Sequence, residues 1–189
     1  MTEHENVKII AFVGMPGAGK TEAVDYITQK GFPKIYFGGI MYDEMRKQGI
    51  EITPESQKLF RTEWREREGD DVIVRRAMEQ VHHLIGAGQH NIILDGIYAW
   101  AEYKILKHEF PGESTVVAIV APRHTRHHRL ANRSERPFTG EEANDRDWAE
   151  IENLGKGGPI AIADYYIVND SSLSELHAQV DTVLRDIHF

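Results

Sequence analysis

Five short apolar runs punctuate the chain, and between them the apolar positions thin out to helical spacing. Val7 to Val13 is nearly continuous and stops at Gly14, the pattern of a strand buried on both faces. "KIYF" at 34–37, "NIILDG" at 91–96, "STVVAIVAP" at 114–122 and "DYYIVND" at 164–170 predict four more strands. The spacing predicts a helix from about Gly19 to Lys30 with Gly31 as its stop. The segment 39–87 predicts three helices: one broken off by Gly49, one starting at Thr53-Pro54, and one following Gly69. A further helix runs through 122–136 to Pro137, and the next opens with the capping box Thr139-Gly-Glu-Glu142. Ser172-Leu-Ser-Glu175 opens the last helix in the same way. Strands alternating with helices predict βαβ units, an α/β fold and a parallel sheet. In such sheets ligands bind beyond the carboxyl ends of the strands. Gly14 to Thr21, Asp95, the residues after Pro122 and Asn169 all fall at those ends.

Bulk composition narrows the function classes. At 189 residues, 41% hydrophobic and 28% charged, the chain suits one globular domain. A net charge of −8 argues against broad nucleic-acid binding or attraction to an acidic membrane, so an anionic ligand needs a local basic cluster. The longest apolar run is too short to span a bilayer, and no basic leader with a cleavage site precedes it. The expectation is a cytoplasmic protein without membrane attachment. There is no cysteine, hence no disulfide and no thiolate metal site.

"GMPGAGKT", Gly14 to Thr21, matches G-x-x-x-x-G-K-[ST] between a predicted strand and a predicted helix. Glycines let the backbone curl so that its N–H groups face phosphate, and the helix N-terminus adds positive potential. Gly14, Gly17, Ala18, Gly19, Lys20 and Thr21 are the expected ATP-binding residues. Lys20 reaches the β- and γ-phosphates, and the Thr21 hydroxyl suits Mg²⁺. Asp95, at the end of an apolar strand, is the expected second metal-side residue.

"PRHTRHHRLANRSERP", 122–137, holds five arginines and one glutamate, a basic island in an acidic chain. Arg126, Arg129, Arg133 and Arg136 recur at three, four and three residues, so they are expected on one face of a helix as a phosphate clamp. His82-His83 and His127-His128 are adjacent pairs that point in different directions on a helix, and lack the spacing of a helical metal site. Trp64, Trp100 and Trp148 are expected to be packing residues.

"GMPGAGKTEA", "KGFPKIYFGGIMYDEMRKQGIEITPE", "ILDGI", "APRHTRHHRLANR", "IAIADYYIVND" and "SLSEL" together resemble the nucleoside-monophosphate-kinase-like P-loop kinases. Within that group the chain looks most similar to dephospho-coenzyme A kinase and to an archaeal family of uncharacterised adenylate-kinase-related proteins. The resemblance implies a three-layer α/β/α P-loop NTPase fold with a five-stranded parallel sheet, a helical acceptor-binding insertion and an arginine-rich lid. It divides the single domain into a core (1–37, 88–125, 156–189), acceptor-binding helices (38–87) and a lid (126–155). Arg129 and Arg133 match lid arginines, with Arg133 on the adenine, and Arg146 matches the arginine returning from the far side of the lid. Asn169 sits where the last strand passes the adenine. Lys20, Asp95, Arg129, Arg133 and Arg146 are the implied catalytic residues, and Gly39, Tyr42, Arg65 and Tyr98 the acceptor-side residues.

The chain also departs from its look-alikes. Gly38-Gly39 stands where related proteins tend to have an aspartate, the acid with which dephospho-coenzyme A kinase takes a proton from its hydroxyl acceptor. Asp43 or Asp95 is the expected substitute. Tyr42 and Tyr98 stand where the adenylate-kinase-related family places arginines, and Arg65, Arg75 and Arg76 are the candidates to compensate. The expectation is a Mg²⁺·ATP-dependent kinase acting on a small-molecule acceptor, a nucleotide or nucleotide-like metabolite, as a monomer or small homo-oligomer. The alternative is an ATP-binding module or slow ATPase with a sensing role. A GTPase is disfavoured because no N-K-x-D sequence reads guanine, and an AAA-type motor because 189 residues leave no room for its extra helical domain.

Overall fold

In the computed structural model, which describes residues 6–97, 99–134 and 137–189, the five apolar runs form one parallel sheet. Its strands are β1 (Lys8–Val13), β2 (Lys34–Tyr36), β3 (Asn91–Asp95), β4 (Ser114–Val120) and β5 (Tyr165–Val168), in the order β2-β3-β1-β4-β5. β1 is central, with Phe12 aligned with Asp95 of β3 and Val117 of β4.

The near-continuous apolar character of β1 follows from helices on both faces. Ile9, Ala11 and Val13 point to one side, where they meet α2 (Phe37–Lys47), α4 (Val72–Gly86) and α5 (Trp100–Glu109) through Met45, Val81 and Leu106. Ile10 and Phe12 point to the other side, against Val24 and Ile27 of α1 (Lys20–Thr28) and Val180 of α9 (Leu173–Asp186). This is the three-layer α/β/α arrangement expected from the sequence. α3 (Pro54–Glu68) packs through Phe60 and Trp64, and Thr53 caps it with Ser56 in a reciprocal box. α6 (Arg123–Ala131), α7 (Gly140–Leu154) and the short α8 (Gly157–Ala161) complete the chain before β5. No helix among the described residues is long and apolar enough to cross a membrane.

Two boundaries differ from the sequence pattern. "KIYF" stops being a strand at Tyr36, and the buried Phe37 opens α2. The arginine-rich helix ends at Ala131 instead of reaching Pro137. The Asn132 amide donates to the His128 carbonyl at 2.8 Å and the Phe138 N–H to the Leu130 carbonyl at 3.1 Å, so the last turn is satisfied by a chain that folds back. Arg133 therefore lies beyond the helix, and the expected four-arginine face shrinks to Arg126 and Arg129. Arg136, like the acceptor-side candidate Tyr98, lies outside the described residues.

Leu94, in β3 beside the central strand, is fully buried. Leu94→Ala is expected to destabilise the fold by about 2–5 kcal/mol through lost burial and the cavity left behind. Urea unfolding checks this: the midpoint falls at an unchanged slope, and an unmoved midpoint contradicts this account of the core.

Candidate active site

The turn from β1 to α1 carries the glycine-rich motif, and backbone geometry explains its composition. Gly17 has φ +79, and a Cβ there would lie 2.6 Å from the Arg126 carbonyl oxygen. Gly19 has φ +102, and a Cβ there would lie 2.1 Å from the Asn169 amide nitrogen. Neither the dihedrals nor the neighbours tolerate a side chain. Gly19 is also the N-cap of α1 and provides no side-chain cap, so the N-terminus of that helix opens toward the space above the turn.

That space is one continuous cleft of about 1020 Å³. Gly14, Gly17, Ala18, Gly19, Lys20 and Thr21 line one end of it. Lys20 is bonded to Asp95, which is buried at the end of β3 on the neighbouring strand. Tyr42, Gln57 and Arg65 line the other end, with the Tyr42 hydroxyl 3.3 Å from the Gln57 amide oxygen. Arg129, Arg133 and Arg146 line the cleft from the α6–α7 side, and Asn169 from the β5 side.

Several expected residues play parts that sequence alone did not reveal. Arg126 is buried and does not line the cleft: both its terminal nitrogens bond the Asp147 carboxylate at 2.7 Å, and one also reaches the Pro16 carbonyl at 3.0 Å. Instead of clamping phosphate, it braces the glycine-rich turn from behind. Asn169, the residue after β5, does the same, donating to the Ala18 carbonyl at 2.8 Å. Gly39 does not line the cleft; its neighbour Gly38 does. A Cβ at Gly38 would lie 2.5 Å from the Tyr36 ring, so the tyrosine occupies the space a side chain there would use. Asp43 turns outward to Arg46 at 2.7 Å and does not reach the cleft, which removes it as a substitute base. Arg75 and Arg76 are likewise engaged on the surface, by the Glu68 carbonyl and by Glu79, leaving Arg65 as the one cleft residue of that trio.

A second buried ion pair was not legible. Glu150 of α7 accepts from Arg146 Nε at 2.8 Å and from Lys156, which follows the left-handed Gly155. Burial pushes the Lys156 ammonium below its ordinary range, Glu150 opposes that, and the nearby positive charges of Arg146 and Lys20 add to it. Arg146-Glu150 has readable i, i+4 spacing, whereas Lys156 sits in a Gly-Lys-Gly-Gly run that reads only as a loop.

The donor set fits a nucleotide triphosphate with Mg²⁺. The turn offers backbone N–H groups with no room for side chains, and Lys20 stands beside them. Thr21 and Asp95 are hard oxygen ligands of the kind Mg²⁺ takes one or two at a time, with water and phosphate completing its shell. No cluster of three or more acidic or histidine side chains placed to hold a metal ion exists among the described residues, and Mg²⁺ held by one or two protein oxygens needs none.

With the site in view, known proteins of similar sequence place the chain. A UPF0200 protein from Thermococcus kodakarensis is 34% identical over 182 residues, covering 95% of this chain and 97% of its own. A family model described as an AAA domain matches residues 10–149, from β1 into α7. The chain belongs to the UPF0200 family and carries that domain. Two solved structures share the fold across nearly its whole length. Shikimate kinase from Bacteroides thetaiotaomicron has a TM-score of 0.60 at 12% identity, covering 96% of this chain and 99% of its own. Dephospho-CoA kinase from Campylobacter jejuni has a TM-score of 0.55 at 16% identity, covering 96% and 98%. The UPF0200 chain thus has a P-loop kinase-like fold.

Burial raises the Asp147 carboxyl, but hydrogen bonds and charge from Arg126 and His127 outweigh it and hold the group below the usual carboxylate range. Its contribution to stability is therefore complete above the unfolded value of about 3.9 and is lost as pH falls through the folded one. Asp147→Asn is expected to cost about 3 kcal/mol near neutral pH, with the gap to wild type closing below about pH 4. Denaturant unfolding at several pH values checks it; a gap independent of pH would contradict the ionised-pair account.

Proposed function

We propose that this protein is a Mg²⁺·ATP-dependent phosphotransferase that moves the γ-phosphoryl group to a small-molecule acceptor, a nucleotide or nucleotide-like metabolite. The observation that carries the proposal is the continuity of the cleft from the glycine-rich turn to Tyr42, Gln57 and Arg65. A nucleotide store or switch needs the first end; a kinase needs both. The similar folds of two small-molecule kinases add support.

In this scheme the turn from Gly14 to Thr21 holds the ATP phosphates, and Lys20 leaves Asp95 to bond the transferring phosphoryl group. Mg²⁺ held by Thr21 and Asp95 would supply positive charge to the phosphate oxygens. Residues 126–155 act as a lid, whose Arg129, Arg133 and Arg146 bring donors to the donor end and exclude water on closing. Glu150 fixes the Nε edge of Arg146, so the rest of that guanidinium is left to face the cleft. Arg133 and Asn169 lie toward the adenine side, and α2 to α4 (38–87) present the acceptor. The reaction needs no covalent intermediate on the protein: positioning and charge stabilisation supply the acceleration.

Lys20→Ala is expected to lower the transfer rate at least about a hundredfold while leaving the circular dichroism spectrum close to wild type. Incubation with γ-labelled ATP, Mg²⁺ and a panel of nucleotides, dephospho-coenzyme A, nucleosides and sugars reads the transfer. Label in any acceptor, lost in Lys20→Ala, supports the assignment. Slow release of free phosphate with no labelled acceptor would replace it with the ATP-binding module or slow ATPase.

A further inference from the structure

We propose that Lys156 is a positioning residue: by holding one oxygen of Glu150 it keeps Arg146 from folding onto that carboxylate, and so leaves the terminal nitrogens of Arg146 to the γ-phosphate. The proposal rests on the kinase reading above, in which Arg146 serves the transferring group, and it adds how that arginine is kept available.

Arg146 and Glu150 stand one helical turn apart on α7, the spacing at which an arginine and a carboxylate pair readily. Two such groups left to themselves favour a forked pair, two N–H groups on two oxygens, and the guanidinium is then used up on its own helix. The observed pairing is different. Arg146 meets Glu150 through Nε alone among the described residues, at 2.8 Å to Oε1, and Oε2 is taken by Lys156. The Glu150 and Lys156 side chains are 5% and 3% exposed, whereas that of Arg146 is 56% exposed. The buried pair is the anchor, and the guanidinium is its free end. All three residues line the cleft. Because the Lys156 ammonium already balances the Glu150 carboxylate, the positive charge of Arg146 is not cancelled at its own helix.

Main-chain geometry brings Lys156 to this place. Gly155 ends α7 with φ +60 and donates its N–H to the Ile151 carbonyl at 3.1 Å, a left-handed cap that turns the chain back. The next N–H, that of Lys156, donates to the Glu150 carbonyl at 3.2 Å, so backbone as well as side chain joins the two residues. Trp100 of α5 packs against the same loop. A Cβ on Gly155 would lie 3.2 Å from the Trp100 Cβ, and one on Gly158 would lie 2.7 Å from its ring. Lys156 thus reaches Glu150 from a loop pressed against α5, and Glu150 in turn sets the direction of Arg146. A buried ammonium is costly unless an anion meets it, and here one carboxylate compensates the first cation while orienting the second.

The test reads recognition of the γ-phosphate and needs no transfer. Calorimetry measures the affinities of Mg²⁺·β,γ-imido-ATP and Mg²⁺·ADP for wild type, Arg146→Ala, Lys156→Met and the double variant Lys156→Met/Glu150→Gln. Wild type is expected to prefer the imido analogue. Arg146→Ala and Lys156→Met are each expected to reduce that preference at least about fivefold, with ADP affinity staying within about twofold of wild type. Glutamine has a single acceptor oxygen, so at position 150 it can hold the Arg146 Nε but cannot receive the fork. The double variant is therefore expected to regain most of the preference, a recovery that mere structural support by Lys156 does not predict. Lys156→Met keeping the wild-type preference would overturn the proposal, as would a double variant that fails to regain it or an Arg146→Ala protein that loses none. Should Lys156→Met not fold, the double variant, which removes the buried carboxylate charge together with its partner, decides alone: a preference near wild type upholds the account and a lost one sinks it. A failure to label any acceptor removes the kinase assignment, whereas these affinities judge the role of Lys156 separately.

Discussion

The guanidinium of Arg126 bonds at once to the Pro16 carbonyl and to both oxygens of Asp147, and the shape of the cleft depends on that contact. The glycine-rich turn has little side-chain substance with which to hold itself. Besides its own Ala18 N–H to Met15 carbonyl bond, it is held from outside by Arg126 and by the Asn169 amide, each bonded to a carbonyl of the turn. Asp147 belongs to α7, so the same contact ties the two arms of the proposed lid to the phosphate end of the site. Buried polar groups satisfied this completely are costly to disturb from any one side.

The strands were the most legible part of the chain, because burial on both faces leaves a run of Ile, Val and Leu that ends abruptly at Gly14, Gly96 or Pro122. The phosphate turn was equally plain, since its spacing encodes a backbone path. α5 has a signal in the spacing of Tyr103, Leu106 and Phe110, whereas α8 begins Gly-Gly-Pro and has none. The arginine stripe shows where pattern misleads. Spacing places Arg126 on a face with Arg129, but says nothing of an aspartate on another helix that takes Arg126 out of solvent. Long-range partners decide such cases, and periodicity carries no information about them.

Acceptor chemistry lies at the same limit. The absence of an acid at Gly38 is visible in sequence, yet its meaning depends on where the other carboxylates point. Asp43 turns to Arg46 and Glu150 to Lys156, choices made by packing of α2 and α7. Arg65 becomes notable only once α3 is seen to present it to the cleft, while Arg75 and Arg76 are engaged on the surface.

The parts that brace the turn come late in the chain. Arg126 stands 110 residues after Pro16, and Asn169 stands 151 residues after Ala18. A chain emerging from the ribosome therefore makes its phosphate turn early and cannot lock it until β5 is out and paired with β4. Contacts of that sequence separation form slowly, because so much chain entropy is lost in closing them. On the proposed reading, competence to hold a nucleotide waits for those two long-range bonds, and a growing chain has no finished phosphate turn to offer until they form.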